Sequence, residues 1–309
     1  MEKSKVYFTD FRTGLGVPLT AKLQKLIRLA GIGSIDFEGK FVAIKMHFGE
    51  LGNLAYLRPN YAKAVADVIK ENGGLPFLTD CNTLYPGSRK HALEHMDCAN
   101  INGFNTVTTG CQIIIADGLR GTDDIIVPVP NGEYCKEAYI GRAVMDADIF
   151  ISLTHFKGHE QAGFGGAIKN ISIGFGSSMG KAWIHSGGTK TSGGIWGEQN
   201  PFLEAMADAA KGVNDAMGDN IVYISVLNRL SVDCDCDGNP AEPDMHDIGI
   251  LASTDPLAID QAAIDLVYAM PDSGSLIRRI ERQNGLHTLE AGEANGLGSR
   301  TYRLVVLGK

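Results

Sequence analysis

The chain has 309 residues, 44% of them hydrophobic and 21% charged, with a formal charge of −8. That length exceeds the usual domain of about 100–200 residues but suits one large α/β unit or two closely packed lobes, and the composition supplies a sizeable core. Net acidity without a basic run removes the electrostatic footprint of a nucleic-acid or anionic-membrane binder, which leaves a small ligand or a protein as partner.

From the N-terminus, "KVYFTDF" (5–11) and "FVAIKMHF" (41–48) read as strands, and "LTAKLQKLIRLAGI" between them has apolar residues at helical spacing. "NYAKAVADVIKENGG" reads as a helix stopped by two glycines, and "LPFLTDCN" as the next strand. Further strands are predicted at "QIIIAD", "DIIVPV", "DIFISLTHF", "IVYISVLNRLSVD", "DIGILAS" and "YRLVVLG". Helices are predicted at "FLEAMADAAKGVNDAM", "AIDQAAIDLVYAM" and "GSLIRRIERQN". The alternation predicts an α/β fold, mostly parallel, with helices on both faces, over residues 1–309 as a single domain. "HSGGTKTSGGIWGEQN" (185–200) is the one linker-like stretch, expected to be a flexible surface loop over 186–200.

The start, "MEKSKVYFTDF", lacks the apolar stretch and cleavage site of a secretory signal, and no run approaches about 18 apolar residues. A cytoplasmic location with no membrane contact is expected. Cys81, Cys98, Cys111, Cys135, Cys234 and Cys236 are then reduced thiols, most of them small buried hydrophobes.

Parallel sheets gather the loops after their strands' carboxyl ends around one crevice, where ligands sit. His47 falls at one predicted strand end, Asp80 at the next and His155 at another, and Cys234 and Cys236 close a fourth. The segment "THFKGHEQAGFGGAIKNISIGFG" (154–176) is the densest. It fails the dinucleotide pattern, since Ile168 stands where the last glycine belongs, and it fails the P-loop, since Gly166 is not adjacent to Lys169. "GFGSSMGKA" fails too, with Phe175 at the first glycine position and Ala182 in place of the hydroxyl. What remains is a turn whose Gly163, Gly165 and Gly166 let backbone N–H groups approach an anion, with Lys157, Lys169 and Lys181 as point charges, against the plain alternative of a tight strand-to-helix turn.

His155 and His159 stand four apart, a spacing that suits a transition metal on one side of a helical turn, with His185 and His47 also available. If the preceding strand continues through "VDCDCDG", Cys234 and Cys236 face one side and offer two soft ligands. Asp233, Asp235, Asp237, Gly238 and Asp244 also match part of a calcium loop, although a strand precedes them and Pro240 and Pro243 interrupt them. A shared site for Zn, Fe or Ni built from His155, His159, His185, Cys234 and Cys236 competes with a structural thiol turn beside a separate anion pocket.

"DADIFISLTHFKGHEQAGFGGAIKN", "TDCNTLYPGSRKHALEHMDCANINGF", "IIIADGL", "GKAWIHS", "CDC" and "DIGILASTDPLAIDQAAIDLV" closely resemble the domain-of-unknown-function 362 family over nearly the whole chain. Many members of that family carry a four-cysteine ferredoxin segment after the "GK…HS" motif and are read as iron–sulfur proteins. This chain departs there, with no cysteine between Cys135 and Cys234, so no four-cysteine iron–sulfur motif is encoded. The resemblance implies that any shared chemistry lies in His155, Lys157, His159, Lys169, Asn170, His185, the two thiols, Asp255 and Asp260. Two function classes stay open. One is a redox-linked enzyme using His155, Lys157, Lys169, His47 and Asp80 on a small anion, binding it through the glycines with Asn170 and Lys181, and taking electrons from a separate ferredoxin. The other is a non-catalytic metal carrier or ligand-binding protein. Perturbed His or Lys titration and a water-excluding lid over 186–200 separate the first from the second.

Overall fold

The computed structural model describes residues 3–193 and 196–307, so Gly194 and Ile195 of the expected flexible loop lie outside the described residues. Its strands are β1 (Ser4–Thr9), β2 (Phe41–Lys45), β3 (Leu75–Asp80), β4 (Gln112–Ile115), β5 (Asp124–Pro128) and β6 (Glu137–Gly141). They continue with β7 (Ile149–His155), β8 (Lys157–His159), β9 (Gly163–Gly165), β10 (Ile221–Leu227), β11 (Gly249–Ser253) and β12 (Tyr302–Val306). The helices begin with α1 (Leu19–Ala30), α2 (Pro59–Glu71), α3 (Ala92–Ile101), α4 (Thr106–Thr109), α5 (Arg142–Met145) and α6 (Ala167–Ile171). They end with α7 (Ser178–His185), α8 (Gln199–Met217), α9 (Pro256–Tyr268), α10 (Gly274–Arg282) and α11 (His287–Ala294).

Eight strands form one sheet in the order β12-β1-β11-β10-β7-β2-β3-β4. Only β11 runs antiparallel to its neighbours, so the sheet is mostly parallel, as the alternating pattern predicts. Period-two alternation buries both faces. Val42, Ile44, Ile151, Leu153 and Ile224 join one core with α1 and α2, while Ala43, Phe150, Tyr223 and Leu251 join the other with α6, α8 and α9. Pro59 at the first turn starts α2, where a missing N–H costs nothing, and Gly73 at φ +80 leaves the chain free to turn after it.

Two hairpins stand outside the sheet, β5 with β6 and β8 with β9. The predicted strand "IVYISVLNRLSVD" is shorter than expected, ending at Leu227. A reverse turn closed by Asp237 N–H to Cys234 O at 3.0 Å carries the two cysteines instead. They therefore do not share a strand face.

Candidate functional site

After β2, β3 and β4 are laid side by side, the chain returns to place β7 against the other edge of β2. Such a reversal of direction opens a crevice at the carboxyl ends of the two strands. Lys45 ends β2 and Asp80 ends β3, both buried, and their ammonium and carboxylate are 3.1 Å apart. Asn170 ties this pair to β7, accepting from Lys45 Nζ at 2.9 Å and donating to Ser152 Oγ at 2.9 Å. Burial alone would raise the Asp80 carboxyl, but Lys45 and His95 hold it well below the usual carboxylate range. Burial in turn pulls the Lys45 ammonium down against the attraction of Asp80. Arg89 is fully buried behind Asp80 and donates to Tyr85 Oη and, at 3.3 Å, to Glu50.

His47 accepts the Gly49 N–H on Nδ1 at 3.0 Å. Its neutral ring therefore keeps the proton on Nε2. Burial, with the Arg89 charge beside it, holds this ring well below the usual histidine value.

β7 runs into the β8–β9 hairpin with Phe156 as the break, so "HFKGH" is extended rather than helical. That separates the two histidines. His155 Nδ1 meets the Asp235 carboxylate at 2.8 Å and Nε2 meets Asn228 O at 2.7 Å. Both nitrogens face acceptors and neither is left to ligate a metal. Lys157 Nζ donates to His155 O at 2.9 Å and lies 3.3 Å from Asp235. Burial would lower this ammonium, but Asp235 and the thiols of Cys234 and Cys236 raise it. Asp235, between the two cysteines in sequence, thus points its carboxylate into the protein and holds the turn against β7.

The Sγ atoms of Cys234 and Cys236 and a ring nitrogen of His159 lie within 4.8 Å of one another. His159 Nδ1 accepts two backbone donors, Ala162 N–H at 3.0 Å and Gln161 N–H at 3.2 Å. The neutral ring then carries its proton on Nε2, the nitrogen that can donate to a thiolate. Burial, with Lys169 nearby, lowers this ring to about 4. The neighbouring Cys236 thiol, with Lys157, Lys169 and His159, holds the Cys234 thiol well below its usual value against the effect of burial. Cys236 is pushed up in turn as the proton-bearing partner. The pair is soft enough for a transition metal, yet ligation through Nε2 would put the proton on Nδ1, against two N–H donors. The three groups do not together fit a closed metal site.

The crevice is a cavity of about 880 Å³. Lys169, on α6, lies half-buried on its wall, and among the described residues its ammonium has no hydrogen-bond or ion-pair partner. Lys181 donates to Gly176 O. His185 donates from Nδ1 to Lys181 O at 2.6 Å, stacks on Phe202 with ring centroids 5.1 Å apart, and meets Trp196 edge-on at 5.5 Å. Burial lowers the His185 ring to about 4.

Of the residues proposed from sequence, His47, Asp80, Lys157, Lys169, His159, His185, Lys181, Asn170 and the two thiols line this one cavity, as do Gly165 and Gly166. His155 stands behind it, and Gly163, at φ +77, packs on Gly285 and Ile280 instead. The amides after Gly166 are not open to an anion, because Ala167 N–H and Ile168 N–H both donate to Asp260 at 2.7 and 2.9 Å. Nor do the aspartates of the calcium pattern converge, since Asp235 faces His155 while Asp233 meets Arg279 at 3.2 Å. Sequence reasoning missed Asp235 as the anchor of the cysteine turn, and the Arg89–Glu50–His95 cluster behind Asp80. A charge in an otherwise apolar strand, Lys45 after "FVAI", was the available signal for that cluster.

The profile of a family described as a domain of unknown function, DUF362, matches residues 42–265. The chain belongs to the DUF362 family. This DUF362 chain is 27% identical over 267 residues to a thylakoid-associated protein of Synechocystis sp., covering 82% of this chain and 71% of that protein. The lactate racemase apoprotein from Thermoanaerobacterium thermosaccharolyticum is a structural neighbour, with a TM-score of 0.52 at 15% identity over 85% of this chain and 57% of that one. A structural-genomics target from Thermotoga maritima gives a TM-score of 0.43 at 12% identity over 89% and 58% of the two chains. The DUF362 chain thus spans less than two thirds of either solved chain, and the racemase likeness shows the α/β fold alone. No helix among the described residues is long and apolar enough to cross a membrane.

Proposed function

We propose that the DUF362 chain binds a small anionic organic molecule in this crevice, with the anion against Lys169 and the rest of the molecule beside Cys234. One observation carries the reading. Of the four lysines around the cavity, Lys45 is held by Asp80 and Asn170, Lys157 by Asp235 and Lys181 by Gly176 O, whereas Lys169 has no such partner among the described residues. A half-buried ammonium that faces a cavity and has no protein acceptor is open to an anionic group of a ligand. A carboxylate is the favoured class, and the name of the racemase neighbour, an enzyme of a small hydroxy acid, supports it. The neutral rings of His47 and His159, with Nδ1 held by backbone N–H groups, are fixed Nε2–H donors on the cavity wall, which supports recognition of an anion.

Calorimetric titration of the metal-free protein with lactate, oxalate and phosphate tests this. The expected result is carboxylate binding that Lys169→Gln weakens roughly tenfold or more, the loss of one charge-assisted hydrogen bond. Equal affinity in the variant contradicts it. A second reading, a soft-metal carrier, is favoured by the closeness of the two thiols. Near-stoichiometric zinc, iron or nickel in protein purified without tag or chelator, lost in Cys234→Ser, would support that reading instead.

A further inference from the structure

We propose that Cys234 and Cys236 are an exchanging dithiol whose substrate is a low-molecular-mass disulfide bearing a carboxylate, with Cys234 the attacking sulfur, Cys236 the resolving one and Lys169 the anchor for the carboxylate. The proposal rests on the anion pocket above and adds the chemistry done beside it. Three features of the geometry carry it. The thiols lie within 4.8 Å of each other on the wall of a cavity large enough for a peptide-sized disulfide. His159, fixed by two backbone donors with its proton on Nε2, is oriented to stabilise a thiolate and not to coordinate a metal. The turn closed by Asp237 N–H to Cys234 O brings the two cysteines closer than an extended strand would, towards the Cα separation of roughly 4.4–6.8 Å that a bridge requires.

The asymmetry of the pair follows from the same contacts. The two sulfurs lie within 4.8 Å and share one proton, and the positive charges of Lys157 and Lys169 with the His159 ring beside Cys234 favour its thiolate. Asp235, locked to His155 and Lys157, keeps the intervening residue out of the way.

The electrons balance as follows. The Cys234 thiolate attacks one sulfur of the bound disulfide, forming a mixed disulfide and releasing one small thiolate, which takes the proton from Cys236. The Cys236 thiolate then attacks Cys234 Sγ, forming the internal bridge and releasing the second small thiolate, which is protonated from solvent. The protein dithiol is oxidised by two electrons and the small disulfide is reduced to two thiols.

Two probes test it on the whole chain: oxidised glutathione, which carries carboxylates, and bis(2-hydroxyethyl) disulfide, which is neutral. Products are trapped with acid and read by peptide mass spectrometry. The expected result is an internal Cys234–Cys236 bridge with both probes, formed roughly tenfold or more faster with glutathione after allowing for the probes' intrinsic reactivity, as one charge-assisted contact implies. Cys236→Ser stops at the mixed disulfide on Cys234, and Lys169→Gln slows the glutathione reaction far more than the neutral one, whose smaller loss reflects the thiolate that Lys169 also favours. No bridge with either probe, or a bound metal that blocks both, overturns the exchange. Equal corrected rates for the two probes, unchanged in Lys169→Gln, overturn the carboxylate pocket while leaving the exchange standing, so the two failures are told apart. Because the comparison is between probes on one folded protein, it survives a variant that folds poorly.

Discussion

His159 owes its neutrality to burial, with the Lys169 charge nearby, and to a backbone that offers Nδ1 two donors, and His185 is held neutral by burial beside Phe202. Both rings protonate near 4 in the folded protein against an ordinary value of 6.5. Between those values the unfolded chain holds more protons, so this contribution to stability is fully present above about pH 6.5 and is lost as the pH falls towards 4. Each ring sets a ceiling of about 3 kcal/mol on that loss. Asp260, raised to about 7 by burial despite its two amide donors, works in the opposite sense, its contribution falling as the pH rises towards neutrality. The midpoint of thermal unfolding, followed from pH 7 to 4.5, is therefore expected to fall less in His185→Phe, which keeps the stack on Phe202, than in the wild type. Parallel curves for the two proteins would count against a buried neutral imidazole at this position.

At the scale of elements, the β8–β9 hairpin and the cysteine turn are one unit. Gly158 N–H donates to Ser231 O at 2.8 Å, and a Cβ at Gly158 would meet the Val232 backbone at 2.2–2.6 Å. The hairpin therefore lies flush on the segment leading into Cys234. Gly158→Ala is expected to cost about 1–3 kcal/mol of stability, as overpacking does, and to slow thiol reactivity at Cys234 by pushing the turn away from Lys157 and His159. Denaturant unfolding and thiol titration measure the two effects, and full stability with unchanged thiol rates would contradict the tight seating. This unit was also the least legible in the sequence. The βαβ beginning, the apolar strands and α8 to α10 follow from periodicity, because burial on both faces leaves long hydrophobic runs. The hairpin and α6 to α7 do not, because glycine-rich segments carry little periodicity and close backbone approach fixes them instead.

On the scale of the whole molecule, the reversal of strand order between β2 and β7 decides where the crevice opens. It brings the ends of β2, β3 and β7 together and folds the turn after β10 over them, so motifs distant in sequence share one cavity. That convergence was legible from strand-end placement alone. The partner of each group was not, because which histidine meets the thiols depends on a strand break at Phe156 that spacing does not reveal. In the proposed crevice chemistry, Lys169 gathers anions beside a reactive Cys234. The relative rates at which iodoacetate and neutral iodoacetamide alkylate Cys234 test it most directly, because a free thiolate in water favours the neutral reagent. The wild type is expected to reverse this preference, and Lys169→Gln to restore it by slowing iodoacetate far more than iodoacetamide. The same rate ratio in both proteins, matching that of a free thiol, would contradict it.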